Sequence, residues 1–183
     1  MKLKVILKTT NKNRGRVDSC LGSWLNGLDY VCMTDRLTGG GDEISCGVGE
    51  NYASAEEKTC NFFMNVREGL YSDYDWLALI DDDAVLDHGR LVSMLSDMNK
   101  GMVHGLNMRG AWPVDLSLVY PSGGAGYFVS PELVRSLEPM NISGIGVEDV
   151  RVGLWMRSNG IELNSSLPLN GWFPLMEIYD QLK

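Results

Sequence analysis

The chain has 183 residues, 44% hydrophobic and 22% charged, enough for one globular domain with a proper core. A formal net charge of -8 argues against a nucleic-acid surface and against an anionic membrane surface. No stretch reaches the roughly 20 apolar residues of a membrane span. Four cysteines without a C-x-x-C pair and only two histidines leave no zinc knuckle and no histidine-rich metal centre.

In chain order, the charged start Met1 to Lys8 is unlike a secretory leader, and the sequence as written reads as unexported and cytoplasmic. Lys4 to Thr9 reads as a strand, with Val5 and Leu7 on one face and Ile6 and Lys8 on the other. Asn11 to Gly15 reads as a polar loop, Arg16 to Leu25 as a helix stopped by Gly27, and Tyr30 to Thr34 as a second strand closed by Asp35. A long connection runs from Gly39 to about residue 52. Cys46 and Cys60 flank a polar loop and could bridge in an oxidising compartment. Ala53 to Gly69 reads as a helix with Phe62, Phe63 and Val66 inward. Trp76 to Ile80 is a buried strand, and Asp87 to Met98 a helix. Val103 to Leu106 and Tyr127 to Val129 are short strands around a glycine-rich segment, Ser122 to Gly126. Ser130-Pro131-Glu132 starts a helix with a cap residue and a first-turn proline. Val147 to Asn159 is helical, and a last strand lies near Glu162 and Leu163. Strands alternating with helices predict an α/β fold: one domain around a Rossmann-like, mostly parallel sheet flanked by helices, with a nucleotide-binding half over about 1–83 and an acceptor half over about 84–183.

The apolar run Trp76 to Ile80 empties into three consecutive carboxylates, Asp81, Asp82 and Asp83. Adjacent anions repel, and a divalent oxygen-seeking ion, Mn²⁺ or Mg²⁺, would neutralise them while carrying a phosphate. A solvated acidic turn capping the next helix is the plain alternative. Thr9, Thr10 and Asp35 also fall at strand ends, where ligands of parallel sheets bind. Gly123, Gly124 and Gly126 allow close backbone approach to a ligand or a tight turn. Glu148 and Asp149 begin a helix, where acids also complement the dipole. Trp112, beside Pro113, is a candidate for stacking on a sugar acceptor, whereas Trp155 sits mid-helix and reads as core.

These segments resemble a known family. Lys8-Thr9-Thr10 with Arg14 and Arg16, Thr34-Asp35, Asp75-Trp76 through Asp81-Asp82-Asp83, Gly123-Gly124-Ala125-Gly126-Tyr127, and Glu148-Asp149-Val150 through Gly153 follow the order of motifs in fringe-type β1,3-glycosyltransferases. The resemblance implies a GT-A fold and an inverting transfer from a nucleotide-sugar donor, usually a UDP-sugar, to a glycan acceptor. It implies Mn²⁺ on Asp83 and donor contacts from Asp81, Asp82, Thr9, Arg16, Asp35 and Gly124. It also implies Asp149 as general base, with Glu148 as its substitute. A cysteine pair like Cys46 and Cys60 is bridged in that family. The family's C-terminal metal-binding histidine has no counterpart here, so Asn170 or water would take its place. For a trimmed piece of a longer chain, the Golgi lumen would replace the cytoplasm. Two rival readings are a nucleotidyltransferase, which would want a glycine-rich phosphate loop that Lys8-Thr9-Thr10-Asn11 lacks, and a non-catalytic domain that binds sugar nucleotide or glycan.

Overall fold

The computed structural model describes residues 1–39, 42–45, 49, 54–86, 93–111, 114–142 and 144–165. In chain order these form β1 (Leu3–Lys8), a 3-10 turn (Asn11–Asn13), α1 (Arg14–Leu21), β2 (Tyr30–Thr34), β3 (Glu43–Ser45), α2 (Ser54–Arg67), β4 (Trp76–Asp81), β5 (Val103–Gly105), β6 (Asn107–Ala111), β7 (Asp115–Pro121), β8 (Tyr127–Val129), α3 (Pro131–Ser136), α4 (Glu148–Ser158) and β9 (Leu163–Asn164). Seven strands form one sheet in the order β3-β2-β1-β4-β8-β5-β9, while β6 and β7 pair separately. The pairs β1/β2, β1/β4, β2/β3 and β5/β9 are parallel, and β8 runs antiparallel between β4 and β5. The fold is therefore α/β with a mostly parallel sheet, and that sheet continues across the expected boundary near residue 83.

Side-chain alternation sorts the core into two layers. Ile6, Val31, Met33, Leu77 and Leu79 pack with Phe62, Phe63 and Val66 of α2, Val134 of α3 and Trp155 of α4. Val5, Leu7, Cys32, Trp76, Ala78 and Ile80 pack on the opposite face with Val17 and Cys20 of α1 and with Leu86 and Leu95. Each fully buried Leu, Ile or Phe contributes about 1.5–3 kcal/mol. Acids in the first turn of α2 (Glu56, Glu57) and Arg67 in its last suit the helix dipole. Glu56 also accepts the Gly146 backbone N–H at 2.6 Å, which ties the approach to α4 onto α2. Trp155 is core as expected, its ring N–H donating to the Glu138 carbonyl at 2.7 Å. Ser130 caps α3 by accepting the Leu133 N–H, with Pro131 in the first turn.

Some expectations change. The 3-10 turn and the start of α1 replace the loop expected over Asn11 to Gly15. β3 lies inside the stretch expected to be a bare connection, recruited by parallel pairing to β2. The β6–β7 hairpin was not anticipated. It covers α4 through Ala111, Leu118 and Val150, and Gly153 permits the approach, since a Cβ there would collide with Tyr120 and come within 2.9 Å of the Val119 carbonyl. Of the helix expected over Asp87 to Met98, residues 93–95 are helical and 87–92 lie outside the described residues. Cys20, Cys32 and Cys60 are buried free thiols, each pushed up to about 11 by burial, and Cys46 lies outside the described residues.

Candidate functional site

The strand order reverses between β1 and β4: β2 and β3 extend to one side of β1, and β4 lies on the other. A parallel sheet opens a crevice beyond the carboxyl ends of its strands at such a switch. There the structure has a cavity of about 460 Å³. Its floor comprises Lys8, Thr9 and Thr10 from the end of β1 and Asp81, Asp82 and Asp83 from the end of β4. Gly123, Gly124, Glu148 and Asp149 form another wall of the same cavity. Residues some 65 positions apart in sequence therefore share one site, because β8 places the glycine turn beside β4 and α4 begins against it.

The acidic triplet is divided by strand alternation. Lys8 and Asp81 are register partners on neighbouring strands. Both point to the α2/α4 side, where the Lys8 ammonium sits 2.9 Å from Asp81 and 2.8 Å from Glu148 and donates to the Gly123 carbonyl at 3.2 Å. Glu148 accepts from the Tyr127 hydroxyl at 2.6 Å through its other oxygen. Lys8 is 11% exposed and Glu148 7%, whereas the Asp81 side chain, 39% exposed, opens onto the cavity. Burial alone would push the ammonium pKa down; Glu148 and Asp81 outweigh it and hold Lys8 charged. Asp81 is raised above the ordinary carboxylate value by burial, with Lys8 opposing and Glu148 reinforcing. Asp82 turns to the α1 side, where it accepts the Thr9 hydroxyl at 2.6 Å and Arg16 at 3.2 Å. Asp83 is half exposed at the cavity mouth, 3.4 Å from Arg16.

Asp149 lies beside this cluster. One of its oxygens accepts the Gly123 N–H at 3.4 Å and the other the Val150 N–H at 2.8 Å. Its pKa is raised by burial and then by the neighbouring Glu148 charge. A partly buried carboxyl poised upward and facing a cavity is suited to accept a proton from a hydroxyl. The glycines make room. A Cβ on Gly123 would fall 2.6 Å from the Glu148 carboxylate, and one on Gly124 would project towards Asp81 at 3.8 Å. Gly126 needs its φ of 82° and packs against Ile80 and the Leu79 carbonyl.

Thr9, Arg16, Asp81, Asp82, Asp83, Gly124, Glu148 and Asp149 are thus brought together. Asp35 is not among them: its carboxylate accepts the Asn11 N–H at 2.9 Å and the Thr34 hydroxyl at 3.1 Å, bracing the loop after β1, and it does not line the cavity. Trp112 and Asn170 lie outside the described residues. Among the described residues no three acid, cysteine or histidine side chains form a ready metal cage. Mg²⁺ and Mn²⁺ do not need one when a diphosphate supplies oxygens, since one or two carboxylates then suffice. Asp83, the most open of the three acids, fits that role. The pairing of Lys8 with Asp81 and Glu148 escaped the sequence reading, as did the placement of Lys12 and Lys58 on the cavity lining. The available signal for Lys8 was a cation ending an apolar strand opposite a strand that ends in acid.

No family model matches the sequence, and no curated protein matches it. Among solved structures, the chain is similar to a glycosyltransferase involved in the glycosylation of the major capsid of PBCV-1, with a TM-score of 0.48 and 11% identity, covering 90% of this chain and 83% of that one. No described helix is long and apolar enough to cross a membrane.

Proposed function

We propose that this chain is an inverting, metal-dependent glycosyltransferase of GT-A type that moves a sugar, a hexose or N-acetylhexosamine, from a nucleotide donor, a UDP-sugar, to a glycan hydroxyl. The observation that supports it is the convergence of Asp81 to Asp83 with Asp149 on one cavity at the β1/β4 switch point. Glycosyl transfer needs a leaving group whose growing charge is stabilised and an acceptor oxygen that loses its proton as it attacks.

In this reading Asp83 holds Mn²⁺ or Mg²⁺, with Asn170 or water beyond the described residues completing its ligands. The ion's contribution is charge stabilisation on the departing diphosphate. Asp149 takes the acceptor proton. Glu148, with one oxygen on Lys8 and the other on Tyr127, orients the start of α4 and raises the Asp149 pKa. Asp82 and Thr9 hold Arg16 over the nucleotide side, and Asp81 faces the donor beside Gly124, where the missing side chain leaves room for the sugar. Trp112 is assigned to the acceptor.

Asp149→Asn tests the reading, because it keeps shape and removes the base. Donor binding is expected to persist while transfer and donor hydrolysis fall by about 10²–10⁴-fold, the range of a lost general base. Unchanged hydrolysis in Asp149→Asn would remove Asp149 from the mechanism. An unaltered protein that binds donors without ever turning them over would be a binding module instead.

A further inference from the structure

Asp149 is the second residue of α4, so its place at the cavity is set by whatever fixes the start of that helix. The helix is not capped locally: Val147 stands at the N-cap with extended backbone and makes no side-chain cap bond. The chain enters it through Gly144 and Gly146, both in the left-handed region at φ 77° and 73°. Glycine takes such angles without a clash, but it also has the most backbone freedom to lose, so this entry depends on outside tethers. Ile145 and Val147 pack with Ala111, Leu118 and Val150 on the hairpin side. From α2, the Glu56 carboxyl accepts the Gly146 N–H at 2.6 Å, short for an N–H···O bond. Glu56 is 2% exposed, and a glutamate is rarely buried that far without partners. It does not line the cavity, although its neighbours Ala55 and Lys58 do.

We propose that Glu56 is a positioning residue for the base: through the Gly146 N–H it holds the entry to α4, and with it Asp149, against the cavity. It touches neither donor nor acceptor. That Asp149 is the base rests on the reading above; that Glu56 places Asp149 does not. Without Glu56 the entry loosens and water reaches the first turn of α4. Asp149, raised first by burial, then falls towards the ordinary 3.8. The titratable groups facing it are Glu148 on α4, Lys8 on β1, Tyr120 on β7 and Tyr127 on β8, with Asp81 of β4 on the same cavity. All stay in place chemically when Glu56 is replaced, so a shift reports movement of Asp149.

The test is carboxyl NMR titration of Asp149 in the intact chain, with amide hydrogen exchange at Gly146, for the parent, Glu56→Ala, Glu56→Gln and Gly144→Val. Glu56→Ala is expected to lower the Asp149 midpoint and to speed Gly146 exchange at least about tenfold, the size of one buried hydrogen bond. Glu56→Gln keeps an acceptor oxygen and is expected to hold both near the parent values. Gly144→Val sets a β-branched residue at positive φ on an exposed turn and is expected to lower the Asp149 midpoint as Glu56→Ala does. It keeps the test decisive where Glu56→Ala fails to fold. Hydrolysis of UDP-glucose, UDP-galactose and UDP-N-acetylglucosamine with Mn²⁺ is the second readout. There kcat is expected to fall about 10²-fold in Glu56→Ala with KM unchanged, and to recover in Glu56→Gln. An Asp149 midpoint that stays at the parent value in folded Glu56→Ala or in Gly144→Val overturns the proposal. Equal shifts in Glu56→Ala and Glu56→Gln also overturn it, since they trace to the lost acid and not to this hydrogen bond. A parent chain that hydrolyses none of these sugars, while Glu56→Ala still moves Asp149, would remove the transfer reading and leave Glu56 as the residue that places Asp149.

Discussion

The two ends of the β1–β4 pair carry the same kinds of side chain in opposite surroundings. At the amino end Lys2 pairs with Asp73 at 2.9 Å, both more than 60% exposed, and Asp75 is held by Lys100 and the Lys2 backbone N–H. At the carboxyl end Lys8 pairs with Asp81 and Glu148 at nearly the same distances, but Lys8 and Glu148 are largely buried and the part-exposed Asp81 faces a cavity. Charge pairs in water contribute little, because solvent already stabilises each ion. Buried ones fix geometry, since breaking them strands an ion away from water. Pair distance is therefore a poor guide to role; burial and the adjoining cavity separate the working end from the solvated one.

Four changes break or sharpen that contrast. Lys8→Met leaves the buried Glu148 carboxylate without its cation, beside the part-exposed Asp81, and is expected to cost about 3–5 kcal/mol in denaturant unfolding. A cost below about 1 kcal/mol would mean that water reaches the cluster. Gly123→Ala drives a methyl into the Glu148 carboxylate and is expected to cost about 1–3 kcal/mol, with the Lys8–Glu148 pair displaced. A pH titration comes next. Asp149 has a raised pKa, so its ionisation opposes folding, and stability is gained as pH falls through that value towards the ordinary 3.8. Asp75 is lowered by Lys100 and the Lys2 N–H, so its contribution is present above 3.8 and lost as pH falls through the depressed value. Carboxyl NMR is expected to show Asp149 titrating above Asp75, and the reverse order would contradict the assignment of burial. The smallest effect is Lys2→Met, for which no resolvable change in melting temperature is expected.

Much of this was legible in sequence where one force dominates. Tyr30–Thr34 and Tyr127–Val129 have the expected bounds because short apolar runs are closed by Asp35 and Ser130. The acidic triplet was legible as a cavity-lining element because three adjacent acids are out of place in a plain core, and the glycine turn because clustered glycines permit close backbone approach. The β6–β7 hairpin was not, since the alternation Leu116-Ser117-Leu118 is broken at once by Val119 and Tyr120, and burial varies along one face: Leu118 is buried against α4 while Leu116 is 79% exposed. Asp35 differs from these in that the structure gives it backbone and hydroxyl partners and leaves it off the cavity lining. A strand-end aspartate has the same sequence signature whether it faces a ligand or braces a backbone, and only the Asn11 and Thr34 contacts distinguish the two. The burial of Lys8 and Lys58 was silent because a lone lysine reads as solvated surface until tertiary packing covers it.

The central claim is that the crevice between β1 and β4 is a nucleotide-sugar donor site. A thermal-shift panel of UDP-, GDP- and dTDP-sugars, with Mn²⁺ and with EDTA, on the parent chain and on Asp83→Ala, tests it most directly. A millimolar donor at a micromolar site stabilises by about 4 kcal/mol. One nucleotide sugar is expected to raise the melting temperature by several degrees, more with Mn²⁺ than with EDTA, and Asp83→Ala is expected to erase the Mn²⁺ increment. A panel in which no sugar nucleotide moves the melting temperature under either condition would contradict the account.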